Sequence, residues 1–214
     1  MLHEVFDNAP TFGVDDIGGR FRSGAQIQNR PVALSEGRAT TGDPVVAAAV
    51  AELFGGEPKR WETKTEETLE VMTTTSSIEV HLEGLSSEMV LWGRGNKPIR
   101  VCDGKIMKGD TAKPCECPSD LKERKEGAKD GSACQPSVRA TFRLVDNPEL
   151  GLWRFNSSSW NLASQVNSLE DELADAGGAS PATLSLELVE FTTKSGREVR
   201  YTQPVIRILA PAAA

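Results

Sequence analysis

Four cysteines, Cys102, Cys115, Cys117 and Cys134, fall within 33 residues of a 214-residue chain that has no others. The segment they bracket, 103–136, alternates Lys, Glu, Asp, Gly and Pro and carries seven basic residues against seven acidic ones. With almost no apolar side chain to bury, hydrophobicity cannot fold it. Four thiolates satisfy a tetrahedral zinc ion and leave no open coordination position, so such a site is structural and not catalytic. Binding energy on the order of 10 kcal/mol can order a polar loop of this kind. Pro114, Pro118 and Pro136 flank the cysteines and stiffen their approach. The spacing is one Cys-x-Cys pair and two single cysteines, not two Cys-x2-Cys knuckles. Free thiols, disulfides or another metal therefore stand beside zinc as alternatives.

The flanks of this excursion have ordinary folding signals. Leu69 to Thr73 and Ile78 to Glu83 alternate apolar and polar residues with the period of half-buried antiparallel strands. Met89–Trp92 and Ile99–Cys102 predict two more, joined by a turn at Gly93-Arg94-Gly95-Asn96. Val138–Leu144 and Leu150–Phe155 predict a pair joined at Asp146-Asn147-Pro148, and Ala182–Thr192 with Glu198–Ile208 a closing hairpin around Lys194-Ser195-Gly196-Arg197. The stretches 18–24 and 30–41 read as edge strands and connecting loops. Two helices are expected. One runs from Asp43, a cap followed by Pro44, to Phe54 before Gly55-Gly56, and is apolar enough on all sides to be buried. The other runs from Ser158 or Ser159 to about Ala176, with Trp160, Ala163, Val166, Leu169 and Leu173 on one face and Glu170, Asp171, Glu172 and Asp175 on the other. The fold class is α+β: mainly antiparallel sheet, two helices and a zinc-bound, Cys-rich loop excursion. One domain is expected over 18–209, with the excursion at 102–136, a flexible segment at 1–17 and a disordered tail at 210–214.

The formal charge is −7, which argues against a protein whose main task is gripping nucleic-acid phosphates. The longest nearly apolar run, Pro44 to Ala51, is far shorter than the roughly 20 residues a membrane helix needs. The N-terminus lacks the positive start and apolar core of a secretory signal. A cytoplasmic setting follows, and in that reducing compartment metal ligands or free thiols are favoured over disulfides. The only histidines are His3, near the chain end, and His81, on the polar side of a strand, so no nucleophile has an evident base. Phosphate-binding loops are absent. No catalytic residue and no enzymatic activity are assigned.

Read together, Val101-Cys102-Asp103-Gly104, Pro114-Cys115-Glu116-Cys117-Pro118, Cys134-Gln135-Pro136-Ser137 with Arg139, and Gly151-Leu152-Trp153-Arg154-Phe155 resemble the phage recombination directionality factors that act with large serine integrases. Gly19-Arg20-Phe21-Arg22 with Arg30-Pro31, and Gly55-Gly56 before Trp61, are compatible, so the resemblance spans most of 18–208. It implies a non-enzymatic control protein of a phage or prophage, working in the bacterial cytoplasm. Such a factor binds the integrase, through its coiled-coil region, without sequence-specific DNA contact of its own. It turns the integrase from integration (attP × attB) to excision (attL × attR), a population shift driven by differential binding. The rival reading is a zinc-stabilised phage protein of replication that holds single-stranded DNA through Arg20, Arg22, Arg30 and Arg38 and its four tryptophans, Trp61, Trp92, Trp153 and Trp160. Those tryptophans are otherwise expected as core anchors.

Overall fold

In the computed structural model the described residues are 17–27, 30–63, 65–109 and 113–209. The expected flexible segment, except Ile17, and the expected tail lie outside them, as does His3.

The period-two segments hydrogen-bond into one sheet of twelve strands. In chain order these are β1 (Ile17–Ile27), β2 (Arg30–Thr41), β3 (Pro58–Arg60), β4 (Leu69–Met72), β5 (Ser77–Trp92), β6 (Pro98–Cys102), β7 (Ile106–Met107), β8 (Lys113–Pro114), β9 (Gln135–Leu144), β10 (Leu152–Ser157), β11 (Ser180–Thr192) and β12 (Glu198–Ile208). The main path is β3-β4-β2-β1-β10-β9-β5-β6-β7-β8. Pairing is antiparallel except between β1 and β10, which run parallel with Phe21 opposite Phe155. β5 is one 16-residue strand where the sequence suggested two. It pairs with β9 from Val80 to Val90, with a register shift between Leu82 and Gly84. Its other edge is divided: Ser77–Leu82 pair with β11 and Met89–Trp92 with β6. The sheet therefore forks at β5, one prong the β11–β12 hairpin and the other the cysteine region.

The core lies on one face. Phe21, Phe142, Trp153 and Phe155 from three strands pack there beneath helices α1 (Pro44–Phe54), α3 (Trp160–Ala163) and α4 (Val166–Asp175). Phe21 is the hub, with ring centroids 6.0 Å from Phe54, 5.9 Å from Phe142 and 5.0 Å from Trp153. Gly19 lets the indole approach: a Cβ there would stand 2.5 Å from Trp153 Cζ3 and 2.7 Å from the Thr40 carbonyl oxygen.

Four local expectations need correction. β1 and β2 lie inside the sheet, because β10 takes the far edge of β1 and β4 that of β2. α1 is capped by Asp43, whose side chain accepts from Val45 N and Val46 N, but only Ala47, Val50 and Phe54 are buried and Val45 is 74% exposed. Its length and caps follow the sequence, yet one sheet face can cover only one side of a helix. The second expected helix is broken at Ser164–Gln165 into α3 and α4, which turns Leu162 into the core with Val166, Leu169 and Leu173. Lastly, the excursion holds a helix of its own, α2 (Leu121–Asp130), none of whose residues is buried.

A candidate cysteine metal centre beside an arginine-covered sheet face

Cys102 ends β6, where it pairs with Met89 of β5 and Met107 of β7. Cys134 immediately precedes β9, whose Pro136 is the partner of Met89 on the opposite edge of β5. One residue of β5 thus brings together cysteines far apart in the chain. Between them the excursion doubles back through two minimal strands. Asp103 Oδ1 accepts from Lys105 N and Ile106 N at 2.7 and 2.6 Å, closing a tight turn, and β7 then pairs with β8. Cys115 follows, its N–H donating to the Lys105 carbonyl at 2.7 Å.

α2 returns the chain to Cys134. Asp120 caps it, accepting from Lys122 N and Glu123 N at 2.9 Å, and Gly131 ends it in the left-handed conformation. These caps, with Glu123 in the first turn, are the signal that could have located the helix from sequence. Arg124 ties it down: Nε donates to the Pro118 carbonyl and Nη1 to the Gly104 carbonyl, both at 2.8 Å. Lys125 Nζ stands 5.5 Å from the centre of the Trp160 ring across a groove of about 620 Å³.

The Sγ atoms of Cys102, Cys115 and Cys134 all lie within 4.8 Å of one another. Cys117, though buried, falls outside that trio. Its sulfur accepts from the Cys134 backbone N–H at 3.1 Å and from Arg100 Nη1 at 3.5 Å. Arg100 also pairs with Glu116. Together with Ala133, Cys102, Cys117 and Cys134 form a small second core, packed against Met89, Leu91 and Met107. All four thiols are free of disulfides. Burial pushes the Cys102 and Cys134 thiols up. Burial acts on Cys115 in the same direction, but hydrogen bonds from the Cys117 N–H and the neighbouring thiols outweigh it and bring Cys115 down to about 7.

This donor set fits a soft divalent cation. Sulfurs bound at about 2.3 Å around a tetrahedral ion stand about 3.8 Å apart, a modest contraction from the spacing of the trio. Buried thiols resist ionising without a positive partner, and a cation supplies one. Three close cysteines could thus hold a metal ion, with Cys117 one hydrogen bond away.

The other face of the sheet is polar. Arg20, Arg22 and Arg38 lie there, but none is free for a ligand. Glu67 reaches both Arg20 Nε and Arg22 Nη2, at 2.9 and 2.8 Å, and accepts from Thr40 Oγ1 at 2.6 Å. Arg38 pairs with Glu70 at 2.6 Å and lies 4.4 Å from the centre of the Trp61 ring, whose Nε1 donates to the Glu67 carbonyl. The Arg30 side chain lies outside the described residues. Of the four tryptophans only Trp153 is a fully buried core anchor; Trp61 stacks on this polar layer, Trp160 is half-buried and Trp92 exposed. A strand alternates its faces, so a tryptophan at a polar position of the pattern ends outside the core. His81 is exposed, as its place on the polar side of β5 requires. Among the described residues, no helix is long and apolar enough to cross a membrane.

No solved structure matches the chain. A family model described as Gp3-like, recombination directionality factor-like, matches residues 18–209, from the first strand to the end of the last. The chain belongs to this recombination directionality factor-like family.

Proposed function

We propose that this protein binds a large serine integrase, through the integrase's coiled-coil region, and switches it from integration to excision. The observation that carries this reading is the family match over 18–209, which takes in the whole sheet and the cysteine excursion. In this reading 18–209 acts as one unit, in the cytoplasm of a phage-bearing bacterium, without catalysis and without sequence-specific DNA contact of its own. The net charge of −7 suits a factor that meets a DNA-binding enzyme and not the DNA. The switch is a matter of differential binding: the factor favours whichever arrangement of the integrase it holds more tightly.

The same reading makes the excursion a zinc-held module with Cys102, Cys115, Cys117 and Cys134 as ligands. Zinc would be structural, its binding energy taking the place of the apolar core that the excursion lacks. In this reading the Cys117 sulfur, already 3.1 Å from the Cys134 backbone nitrogen, becomes the fourth ligand.

The test is recombination in vitro with the cognate integrase. Recombination between attL and attR should require this protein, attP × attB recombination should be suppressed by it, and the two proteins should form a complex without DNA. No complex and no change of direction would refute the reading.

A further inference from the structure

Around β10 the polar face carries positive charge that is only partly offset, by Glu67. Arg154 of β10 and Arg20 of β1 are direct register partners on adjacent parallel strands. Arg139 of β9 stands opposite Asn156, one step along the same face from Arg154. All three point away from the core, since Phe21, Phe155, Val138 and Ala140 beside them are buried in it. Like charges on directly opposed positions are destabilising in a sheet unless a counter-charge lies between them.

Arg20 has that counter-charge in Glu67, which Arg22 and Thr40 also share. Glu70 is taken by Arg38, and Glu83 by Arg143 at 2.9 Å. Arg154 is left over. Among the described residues its buried Nε has no hydrogen-bond acceptor, and Arg139 beside it is exposed and without an ion pair. Burial, and then the charges of Arg139 and Arg20, push the Arg154 guanidinium below its ordinary pKa, against the weaker opposing pull of Glu67. A half-buried arginine with an unmet donor and two cationic neighbours is unfavourable in the isolated chain, and an incoming anion would reverse the balance.

We infer that Arg139 and Arg154 form a carboxylate-binding site that receives an acidic segment of a partner protein. A guanidinium pair of this kind matches the planar, two-oxygen geometry of a carboxylate, and Glu67 between Arg20 and Arg22 shows the arrangement already realised once on the same face. Protein carboxylates fit better than a nucleic-acid backbone. The uncompensated charge is confined to one pair of strands on a chain of net charge −7, whereas phosphates require an extended basic track. This inference rests on the integrase reading for the identity of the partner, and it places the contact on the arginine face, apart from the cysteines.

The experiment measures affinity of the full chain for its cognate full-length integrase at two salt concentrations, and for a single-stranded and a duplex oligonucleotide. R139E, at an exposed position, should weaken integrase binding at least tenfold and flatten its salt dependence. R154M should weaken it comparably while leaving the melting temperature of the free protein equal to or above that of the wild type, a combination that a merely structural arginine would not give. Integrase binding unchanged by either substitution overturns this site and leaves the integrase reading intact. A lowered melting temperature for R154M overturns the unmet-charge argument. Oligonucleotide binding that both variants abolish assigns the site to phosphates and overturns it equally. Failure of the wild-type protein to bind integrase overturns both readings.

Discussion

Trp153 lies across the backbone of Gly19, so closely that a methyl group on Gly19 would be 2.5 Å from the indole. The contact crosses the only parallel pairing among the described strands, and it seats the indole beside Phe21. Gly19→Ala should destabilise the protein by about 2–4 kcal/mol, because the obstacles are a fully buried ring and the Thr40 carbonyl rather than the loose end of a side chain. Chemical denaturation of the variant, followed by tryptophan fluorescence, measures this. A change below about 0.5 kcal/mol would contradict the close packing.

Removing the metal should unfold one region only. Elemental analysis of protein never exposed to chelator should give about one zinc per chain, and Cys117→Ser should reduce that ratio. Hydrogen exchange should then accelerate across 103–134, while β9, β10 and β1 keep their protection, since their apolar residues belong to a separate core. Loss of protection throughout the sheet would show that the two cores are not independent.

Arg124→Ala should loosen the same region without removing its ligands. The guanidinium holds two loops by hydrogen bonds to the carbonyls of Gly104 and Pro118, both before α2 in the chain. Losing both should lower local stability by about 1–3 kcal/mol, read as faster amide exchange in α2 with zinc content unchanged.

Glu67→Gln tests the layer over the polar face. One carboxylate there serves Arg20, Arg22 and Thr40, and it is only 14% exposed against 28% and 30% for the arginines. Neutralising it leaves two partly buried cations without a counter-ion and should reduce stability by about 1–3 kcal/mol, after allowance for solvent screening at the arginines. A denaturation midpoint equal to that of the wild type would mean that water already replaces the pair.

The longer strands of this fold are legible where alternation survives, as in the first half of β5: Ile78, Val80 and Leu82 are buried and the residues between them exposed, as the pattern in the sequence requires. The interior position of β1 was not legible. Its partner β10 comes more than a hundred residues later, and a pattern of period two carries no information about which strand lies alongside. α2 escaped for another reason: helices are sought by an apolar face, and this one buries nothing, being fixed by its caps and by Arg124. At the cysteines, spacing alone brought all four into consideration, but it could not show that three sulfurs cluster while that of Cys117 accepts from the Cys134 N–H and Arg100. In the sequence Arg20, Arg22 and Arg38 stand as a basic cluster because the glutamates that neutralise them, Glu67 and Glu70, lie far along the chain.

The parallel seam between β1 and β10 bears on how the protein is made. A ribosome releases β1 and β2 early, yet Phe21 finds Phe155 and Trp153 only after almost three quarters of the chain has emerged. Until then the hub of the core is an exposed aromatic on an unpaired strand edge, the kind of surface that invites aggregation. Closing so long a loop is also slow. Fragments ending before β10 should therefore be insoluble, and any division of the chain into two co-expressed pieces should keep β1 with β10.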